Sequence, residues 1–420
     1  MVNDLSDIKI IFKIFKYPIY ICILITICIC ISTPILIITL SNKNNSTITN
    51  LSNLTNLQNL ANLTYNVLSI ANPNWKYNGE RKMLNYISNF LDNRNISYIR
   101  NDKWGINAEF VIGNNKKPGI LLVAHTDSDR LDLKALKTLK LSNNNKDLSF
   151  DTKIGELGQD DKIGISIILG LIDYIYNKCN NKICPDMNIH LLFTVQEEVG
   201  LHGMLKAPIK EILKPGKIRY IILVDRANNG KGAPKEIRHA IGSYANVPLL
   251  DGSSGNKMIE LLNNIPIISS PNLADAIELR GRFDAEILTP YILSNENNEN
   301  INKIKLEENI KNYNKITNKI LSIIDRLKPG EKVSYMNEYP RNERYKIMSN
   351  IHNILHGNFD KDGKPIKNKI KKYNNSLYWL SIINLSCDYD EKRSPIKIKE
   401  LDDTINIILN FINNYYDNNI

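Results

Sequence analysis

Residues 119–127, Gly-Ile-Leu-Leu-Val-Ala-His-Thr-Asp, decide the fold that we predict for this chain. The uncharged run at their start is typical of a buried strand, and His125 and Asp127 follow where that strand ends. Strands that are apolar throughout belong to parallel sheets covered on both faces. The carboxyl ends of such strands form one crevice, in which α/β proteins bind their ligands. The stretch therefore predicts both the fold class and the edge of the sheet where a functional site should lie.

The sequence on either side alternates between extended and helical patterns. Further strands are predicted at 96–99, 108–112, 188–194, 219–224 and 381–385, and helices at 81–91, 164–176, 301–327 and 401–415. This alternation predicts a three-layer α/β domain, in which a mixed, mostly parallel sheet carries helices on both faces. The polar stretch at about 295–375 is interpreted as an insertion or subdomain.

The amino-terminal segment predicts a membrane anchor. Residues 17–40 contain no charged side chain, and as a helix they would span about 36 Å, enough to cross a hydrocarbon core of about 30 Å. Lys9, Lys13 and Lys16 precede this span, so the positive-inside rule places the amino terminus in the cytosol. The predicted order is a cytosolic tail at 1–16, a transmembrane helix at 17–40 in contact with lipid, an Asn-rich stalk at 41–75 and an extracytoplasmic domain at 76–420. We therefore expect a single-pass membrane protein.

Leucines recur every three residues in the stalk, from Leu51 to Leu63. This spacing predicts a helical stripe. Packing of the stripe on the core of the domain is the preferred interpretation, and packing on a second copy of the chain, in a homo-oligomer, is the alternative.

Charge and cysteine content exclude several classes of protein. The 54 Lys and Arg residues exceed the 44 Asp and Glu residues, which gives a net charge of +10. The lysines are dispersed and no nucleic-acid motif is present, so we expect no nucleic-acid partner. Three of the six cysteines lie in the apolar run at 17–40, and the other three are too few for a disulfide framework and wrongly spaced for a structural zinc site. Cys179 and Cys184 flank a short polar loop, across which a disulfide in an oxidising compartment and two free thiols are both compatible with the sequence.

Acidic residues also follow the other predicted strands of the sheet or open the buried helix. Asp160 precedes the helix at 164–176, Glu197 and Glu198 follow one strand, and Asp225 follows another. Because these strand ends meet at one edge, we expect the carboxylates to converge on His125. One histidine among several carboxylates suits Zn²⁺, or Mn²⁺ or Co²⁺ where oxygen ligands dominate.

These motifs resemble those of the cocatalytic zinc exopeptidases, a superfamily of aminopeptidases, tripeptidases, carboxypeptidases and deacylases with a phosphorylase/hydrolase-like sheet. The His-x-Asp motif of that family matches 125–127, its Gly-x-Asp-Asp-Lys-x-Gly motif matches 158–164, and its Glu-Glu-x-Gly motif matches 197–200. The motifs cover roughly residues 77–230. The resemblance implies a metal-dependent hydrolase acting on a peptide or an N-acylated small molecule, with one or two zinc ions.

The same resemblance implies a role for each matched residue. His125 and Asp225 would bind one metal ion, Glu198 a second, and Asp160 would bridge the two. Glu197 would be the general base that takes a proton from the attacking water.

Two further residues of these motifs have supporting roles in the family. Asp127 would orient the imidazole of His125 through its other nitrogen. Asp161 would take part in a cis peptide that presents the Asp160 carboxylate.

One position departs from the family pattern. The family closes its second metal site with a histidine near the carboxyl terminus, and Arg393 aligns with that position. A guanidinium group has no lone pair for coordination. Three outcomes stay open: an enzyme with one metal ion, a substitute ligand such as Asp388 or Asp390, or a degraded site.

The remaining candidates have structural interpretations that we prefer. Arg280, Arg282 and Asp284 fall where relatives place an active-site turn, and surface ion pairs are the preferred alternative. For His352 and His356, one helical turn apart, the preferred interpretation is a polar helix surface. His202 and His239 are interpreted as structural residues.

The sequence thus supports two function hypotheses from different classes. The favoured one is a membrane-tethered metallohydrolase of peptide or related amide bonds, an exopeptidase by preference. The alternative is a binding protein that retains the fold but not the activity, because of Arg393.

Overall fold

One mixed sheet of eight strands organises the domain in the computed structural model. The structure describes residues 57–71, 77–113, 116–128, 130–142, 147–180, 186–225, 243–249, 267–268, 274–294, 302–327, 340–356, 381–387 and 394–417. The strands are β1 Ser97–Asn101, β2 Gly105–Ile112, β3 Gly119–His125, β4 Lys140–Leu141, β5 Asp147–Ser149, β6 Met187–Thr194, β7 Ile218–Val224, β8 Ser243–Leu249, β9 Ile267–Ile268, β10 Ser381–Cys387 and β11 Ile396–Lys397. Their order in the large sheet is β1-β2-β6-β3-β7-β10-β8-β9, and β11, β5 and β4 form a small second sheet.

Helices lie between the strands. They are α1 at 57–68, α2 Tyr77–Asp92, α3 Leu133–Leu136, α4 Gln159–Asn180, α5 His202–Lys206, α6 Ile209–Ile212, α7 Ala274–Phe283, α8 Thr289–Ser294, α9 Lys303–Arg326, α10 Arg341–His356 and α11 Ile398–Asp417. A π-helical turn, Asp284–Leu288, joins α7 to α8.

The centre of the sheet is parallel, as its apolar strands predict. β3 pairs in parallel with β6 and β7, and β10 pairs in parallel with β7, whereas β2 and β8 pair antiparallel with their inner neighbours. Every residue of β3 is buried. Its side chains alternate between the faces, with Ile120 and Leu122 in one hydrophobic core and Leu121 and Val123 in the other. The predicted three-layer α/β architecture with a mostly parallel central sheet is confirmed.

The two faces are covered by different sets of helices. The first core receives side chains of α1, α2, α4 and α11, and the second receives those of α5 to α10. α9 and α10 lie in the polar segment that was interpreted as an insertion. Tyr313 and Ile320 of α9 and Ile351 of α10 nevertheless pack in the second core, so these helices form part of the layer that covers the sheet. Their sequence is polar because each helix buries only one side.

Helix α1 lies within the segment that was predicted to be a stalk. Leu60, Val67 and Leu68 are buried in the first core, in keeping with the preferred interpretation of the leucine stripe. The compact unit that contains the domain begins at Leu57. Lys162 of α4 is fully buried, and its Nζ donates hydrogen bonds to the carbonyl oxygens of Leu68 at 3.1 Å and Leu157 at 3.0 Å.

The predicted tail and membrane anchor, residues 1–16 and 17–40, lie outside the described residues. Among the helices that are described, none is long and apolar enough to cross a bilayer.

A buried polar network joins the helices of the second face. Arg344 of α10 donates to both carboxylate oxygens of Glu278, to Tyr313 Oη at 2.9 Å and to Thr317 Oγ1 at 2.9 Å. Arg344 and Glu278 are 2% and 1% exposed, so their charges are compensated by each other rather than by water.

We predict that Arg344→Met lowers the free energy of unfolding by about 3–5 kcal/mol, because it leaves the Glu278 carboxylate buried without its partner. Chemical denaturation measures this loss. The double variant Arg344→Met/Glu278→Leu should cost less than the sum of the two single changes. Lys399→Ala, which opens an exposed pair with Asp403, serves as the control and should cost less than about 1 kcal/mol. An Arg344→Met protein as stable as the wild type would contradict the prediction.

Candidate metal centre

The register of the sheet brings the predicted site residues to one edge. His125 at the end of β3 is opposite Thr194 at the end of β6, and Val123 is opposite Leu223 of β7. The segments that follow these strands therefore start side by side. They carry Asp127, the Glu197–Glu198 pair and Asp225, in the order that the sequence predicts.

His125 lies at the centre of two groups of metal-ligating side chains. Its Nε2 is 3.2 Å from Asp160 Oδ1 and 3.7 Å from Asp225 Oδ1. One ligand atom from each of these three residues lies within 4.8 Å of the others, and the same holds for His125 with Glu197 and Glu198. All five residues that were predicted from the motifs as metal ligands or base are thus brought together.

The electrostatics of this cluster suit a cation. Burial opposes the protonated form of His125, but hydrogen bonds to Asp127, Asp160 and Asp225 outweigh it and raise the pKa of the imidazole well above its usual range. For Asp225, burial is the main cause of a raised pKa, and repulsion from Asp160 adds to it. The negative field that favours a proton on His125 would equally favour a divalent ion between the imidazole and the carboxylates. The donor set, one nitrogen and several oxygens, fits such an ion.

Asp127 holds the two sides of the site together. It is fully buried, and its Oδ1 is 3.3 Å from His125 Nδ1. The same carboxylate accepts hydrogen bonds from the backbone N–H groups of Glu197 at 2.9 Å and Glu198 at 3.0 Å. One side chain therefore orients the imidazole and fixes the turn that carries both glutamates.

The start of α4 presents Asp160 through a distorted backbone. The Asp160–Asp161 peptide bond is cis, and neither residue has helical backbone angles. Ser128 Oγ lies 2.8 Å from the carbonyl oxygen of Gly158 and 2.7 Å from that of Asp160, and donates its proton to this pair of acceptors. Ser128 thus fixes the backbone that carries the Asp160 carboxylate.

Asp161 supports the backbone around the site. It accepts hydrogen bonds from the N–H of Gly164 at 2.9 Å and of His125 at 3.3 Å. Burial, with repulsion from Asp225, raises the pKa of Asp161 well above its usual range. A Cβ atom at Gly164 would lie 2.2 Å from both the Val224 carbonyl oxygen and Asp161 Oδ1, so only glycine fits here.

The turn after β6 adopts uncommon backbone angles. Gln196 and Leu201 have φ values of 56° and 60°, and Gly200 has 133°. Gln196 Oε1 lies 2.8 Å from Nδ1 of His202. Burial lowers the pKa of His202 to about 4, so this histidine is neutral near pH 7 and supports the turn.

Asp284, Arg280 and His352 are not part of the metal cluster, and they correct two expectations. Arg280 and Asp284 lie in α7 and the π-helical turn rather than in an active-site turn, and both are buried, so they do not form a surface ion pair. Asp284 Oδ2 is 3.2 Å from Arg280 Nε and 2.8 Å from His352 Nδ1. His352 is therefore not on a polar surface, because α10 packs this part of its surface against the π-helical turn.

Arg282 belongs to the same buried layer. Its side chain donates to Glu286 at 2.8 Å and to the carbonyl oxygens of Met204 and Ala207. His239, Asp388, Asp390 and Arg393 lie outside the described residues. β10 runs parallel to β7, so the carboxyl ends of these two strands lie at the same edge of the sheet.

Glu80 is a site residue that the sequence analysis missed. It is fully buried in the first turn of α2, and its Oε1 accepts a hydrogen bond from the Gln196 N–H at 3.2 Å. The sequence does contain a signal for the burial of Glu80, because this residue shares the helical spacing of the buried residues Met83, Leu84 and Ile87. An acidic residue on the apolar side of a helix is worth noting in any sequence.

Comparison with known proteins gives similar solved structures only. No family model and no curated protein matches the chain. An aminopeptidase, PepT, from Bacillus cereus is similar over 85% of this chain and 98% of its own, with 12% identity and a TM-score of 0.42. A tripeptidase from Staphylococcus aureus is similar over 85% and 97%, with 13% identity and a TM-score of 0.41. LapA from Legionella pneumophila is similar over 86% and 73%, with 10% identity and a TM-score of 0.42.

Because the TM-scores lie below 0.5 and the identities below 25%, the likeness carries no conclusion on activity. The function of the chain has to rest on the residues of its own site.

Proposed function

We propose that this chain is a metal-dependent hydrolase of peptide or related amide bonds, acting as an exopeptidase. The observation that carries the proposal is that ligand atoms of His125, Asp160 and Asp225 lie within 4.8 Å of one another, and that those of His125, Glu197 and Glu198 do so too. A metal cluster with a carboxylate beside it that can take a proton from water is the arrangement that amide hydrolysis by activated water requires.

His125, Asp160 and Asp225 would hold a divalent ion, with zinc as the first choice and Mn²⁺ or Co²⁺ as alternatives. Such an ion supplies Lewis-acid chemistry, since it lowers the pKa of water and polarises a substrate carbonyl. Asp127 lies 3.3 Å from Nδ1 of His125 and would favour a proton on that nitrogen, which would leave Nε2 as the atom that binds the ion.

Glu197 is the proposed general base. Its backbone is fixed by Asp127, so its side chain leaves the turn at a defined place beside His125. A Glu197 carboxylate oxygen takes a proton from the attacking water and returns it to the nitrogen of the leaving amine. Glu198, the next residue, is proposed as a metal ligand.

The number of ions depends on the position of Arg393. Asp160 and Glu198 would remain as ligands of a second ion, and a histidine at 393 would complete that site. With an arginine there, the chain is proposed to hold one ion tightly, because a guanidinium group cannot coordinate.

The chain is also proposed to be tethered by a transmembrane helix at 17–40, with the domain outside the cytoplasm. The absence of charge in that segment and the three lysines before it support this topology. Cys179 is disulfide-bonded, and disulfides persist mainly in oxidising compartments.

Glu197→Gln should lower the rate of peptide hydrolysis by at least about 100-fold, because the amide cannot accept the proton. Turnover of a panel of short peptides, measured beside metal content, checks this. The metal content should stay unchanged, since His125, Asp160 and Asp225 remain. Glu211→Gln, on the exposed side of α6, is the control and should keep full activity. Equal turnover in the wild type and Glu197→Gln would remove Glu197 as the base, and an inactive wild type with bound metal would favour the binding-protein alternative.

Arg393→His should raise the zinc content by one ion per chain, measured by elemental analysis after removal of loosely bound metal. The added imidazole supplies the ligand that the second site lacks. Lys392→His places the same group one residue earlier and should not change the zinc content. An unchanged value in Arg393→His would show that position 393 is not at the second site.

Protease added to intact cells should digest the domain, because the proposed topology places it outside. An epitope tag at the carboxyl terminus reports the digestion, and a cytosolic protein of the same cells is the control for lysis. Digestion that requires lysis would contradict the proposed topology.

A further inference from the structure

Glu80 is a buried carboxyl group for which the proposed mechanism has no role. Its side chain is 0% exposed, although it lies in the first turn of α2, where acidic residues usually face water. Oε1 accepts the hydrogen bond from the Gln196 N–H at 3.2 Å. Among the described residues, no hydrogen-bond donor reaches Oε2. A charged or polar side chain in such a place needs a reason, since burial without full hydrogen bonding costs free energy.

The partner of Glu80 indicates what that reason is. Gln196 is the residue before the glutamate pair, and its φ of 56° is uncommon for a residue other than glycine. The N–H groups of the next two residues, Glu197 and Glu198, are bound by Asp127. Consecutive amides of the turn are therefore bound by buried carboxyl groups from two directions, Glu80 of α2 and Asp127 after β3.

The charge state of Glu80 fits this arrangement. Burial, and next to it repulsion from Asp127, raises the pKa of Glu80 well above its usual range. The raised pKa favours the neutral acid, whose carbonyl oxygen still accepts a hydrogen bond. The backbone N–H of Gln196 keeps its acceptor in either protonation state of Glu80.

We propose that Glu80 is a positioning residue for the catalytic turn: its carboxyl group binds the Gln196 N–H and so fixes Gln196 in the strained conformation from which Glu197 and Glu198 enter the site. This inference rests on the proposed function only in that it takes Glu197 and Glu198 as base and metal ligand. The hydrogen bond itself involves neither metal nor substrate.

The test compares a matched pair of substitutions in the full chain. Glu80→Gln keeps the acceptor and the volume, whereas Glu80→Met keeps the volume but has no strong acceptor. Hydrogen–deuterium exchange of the peptide covering residues 195–203 reports on the turn without requiring activity. Peptide turnover by the zinc-loaded protein is measured on the same samples. Ile87→Ala, a fully buried core change on the same helix, controls for general destabilisation.

We expect Glu80→Met to speed exchange in residues 195–203 at least tenfold and to lower kcat at least tenfold, with KM within twofold of the wild type. Glu80→Gln should restore both quantities to within about twofold, and Ile87→Ala should leave the exchange of this peptide unchanged. Should Glu80→Met not fold, Glu80→Asp, which draws the carboxyl group back by one methylene, takes its place in the comparison.

Wild-type exchange and turnover in Glu80→Met would overturn the proposal, and so would a Glu80→Gln protein as impaired as Glu80→Met. Equal effects of Ile87→Ala and Glu80→Met on the turn would reduce Glu80 to a stability role and likewise overturn it. If the wild type cleaves no peptide, the proposed function fails, while the exchange measurement still decides the role of Glu80.

Discussion

The site depends on one buried carboxylate, that of Asp127. It contacts the imidazole of His125 and accepts the N–H groups of Glu197 and Glu198, so it joins the segment after β3 to the segment after β6. Parallel pairing alone brings these strand ends to one edge but does not set the direction of the side chains. The Asp127 carboxylate, as a fixed hydrogen-bond acceptor between the two segments, sets this direction. The geometry of the cluster is therefore built into the backbone.

Much of the fold could be predicted because its signals are local. The uncharged runs of β3, β6 and β7 and the amphipathic helices α2 and α11 show their periods directly in the sequence. α9 and α10 lie in the stretch that was interpreted as an insertion because of its polarity, and a helix that covers a sheet with one side only has a mostly polar sequence. Their place in the second core depends on partners far away in the chain, such as Leu121 of β3, which no local pattern reveals.

The candidate site also contains residues that the sequence predicts and residues that it does not predict. His125, Asp160 and Asp225 follow strands or open a helix at motif positions, so their convergence follows from the topology. Asp284 and His352 show what sequence patterns cannot predict. These residues are distant in the chain, and their contact forms only because α10 packs on the π-helical turn. From the sequence alone, both were interpreted as surface residues. Glu80 was missed for a simpler reason, since acidic residues at helix starts are normally exposed, and only its apolar neighbours mark it as buried.

Lys162 gives helix α1 an importance that its position in the chain does not suggest. Lys162 lies four residues beyond Gly158 in the sequence. Its ammonium group binds the carbonyl oxygen of Leu68 at the end of α1, where the helix dipole favours a cation. A recombinant form shortened to start at residue 76 would remove that acceptor and uncover the first core around Leu60. The amino-terminal boundary for crystallisation or assay of an untethered protein therefore lies ahead of Leu57, within the Asn-rich segment.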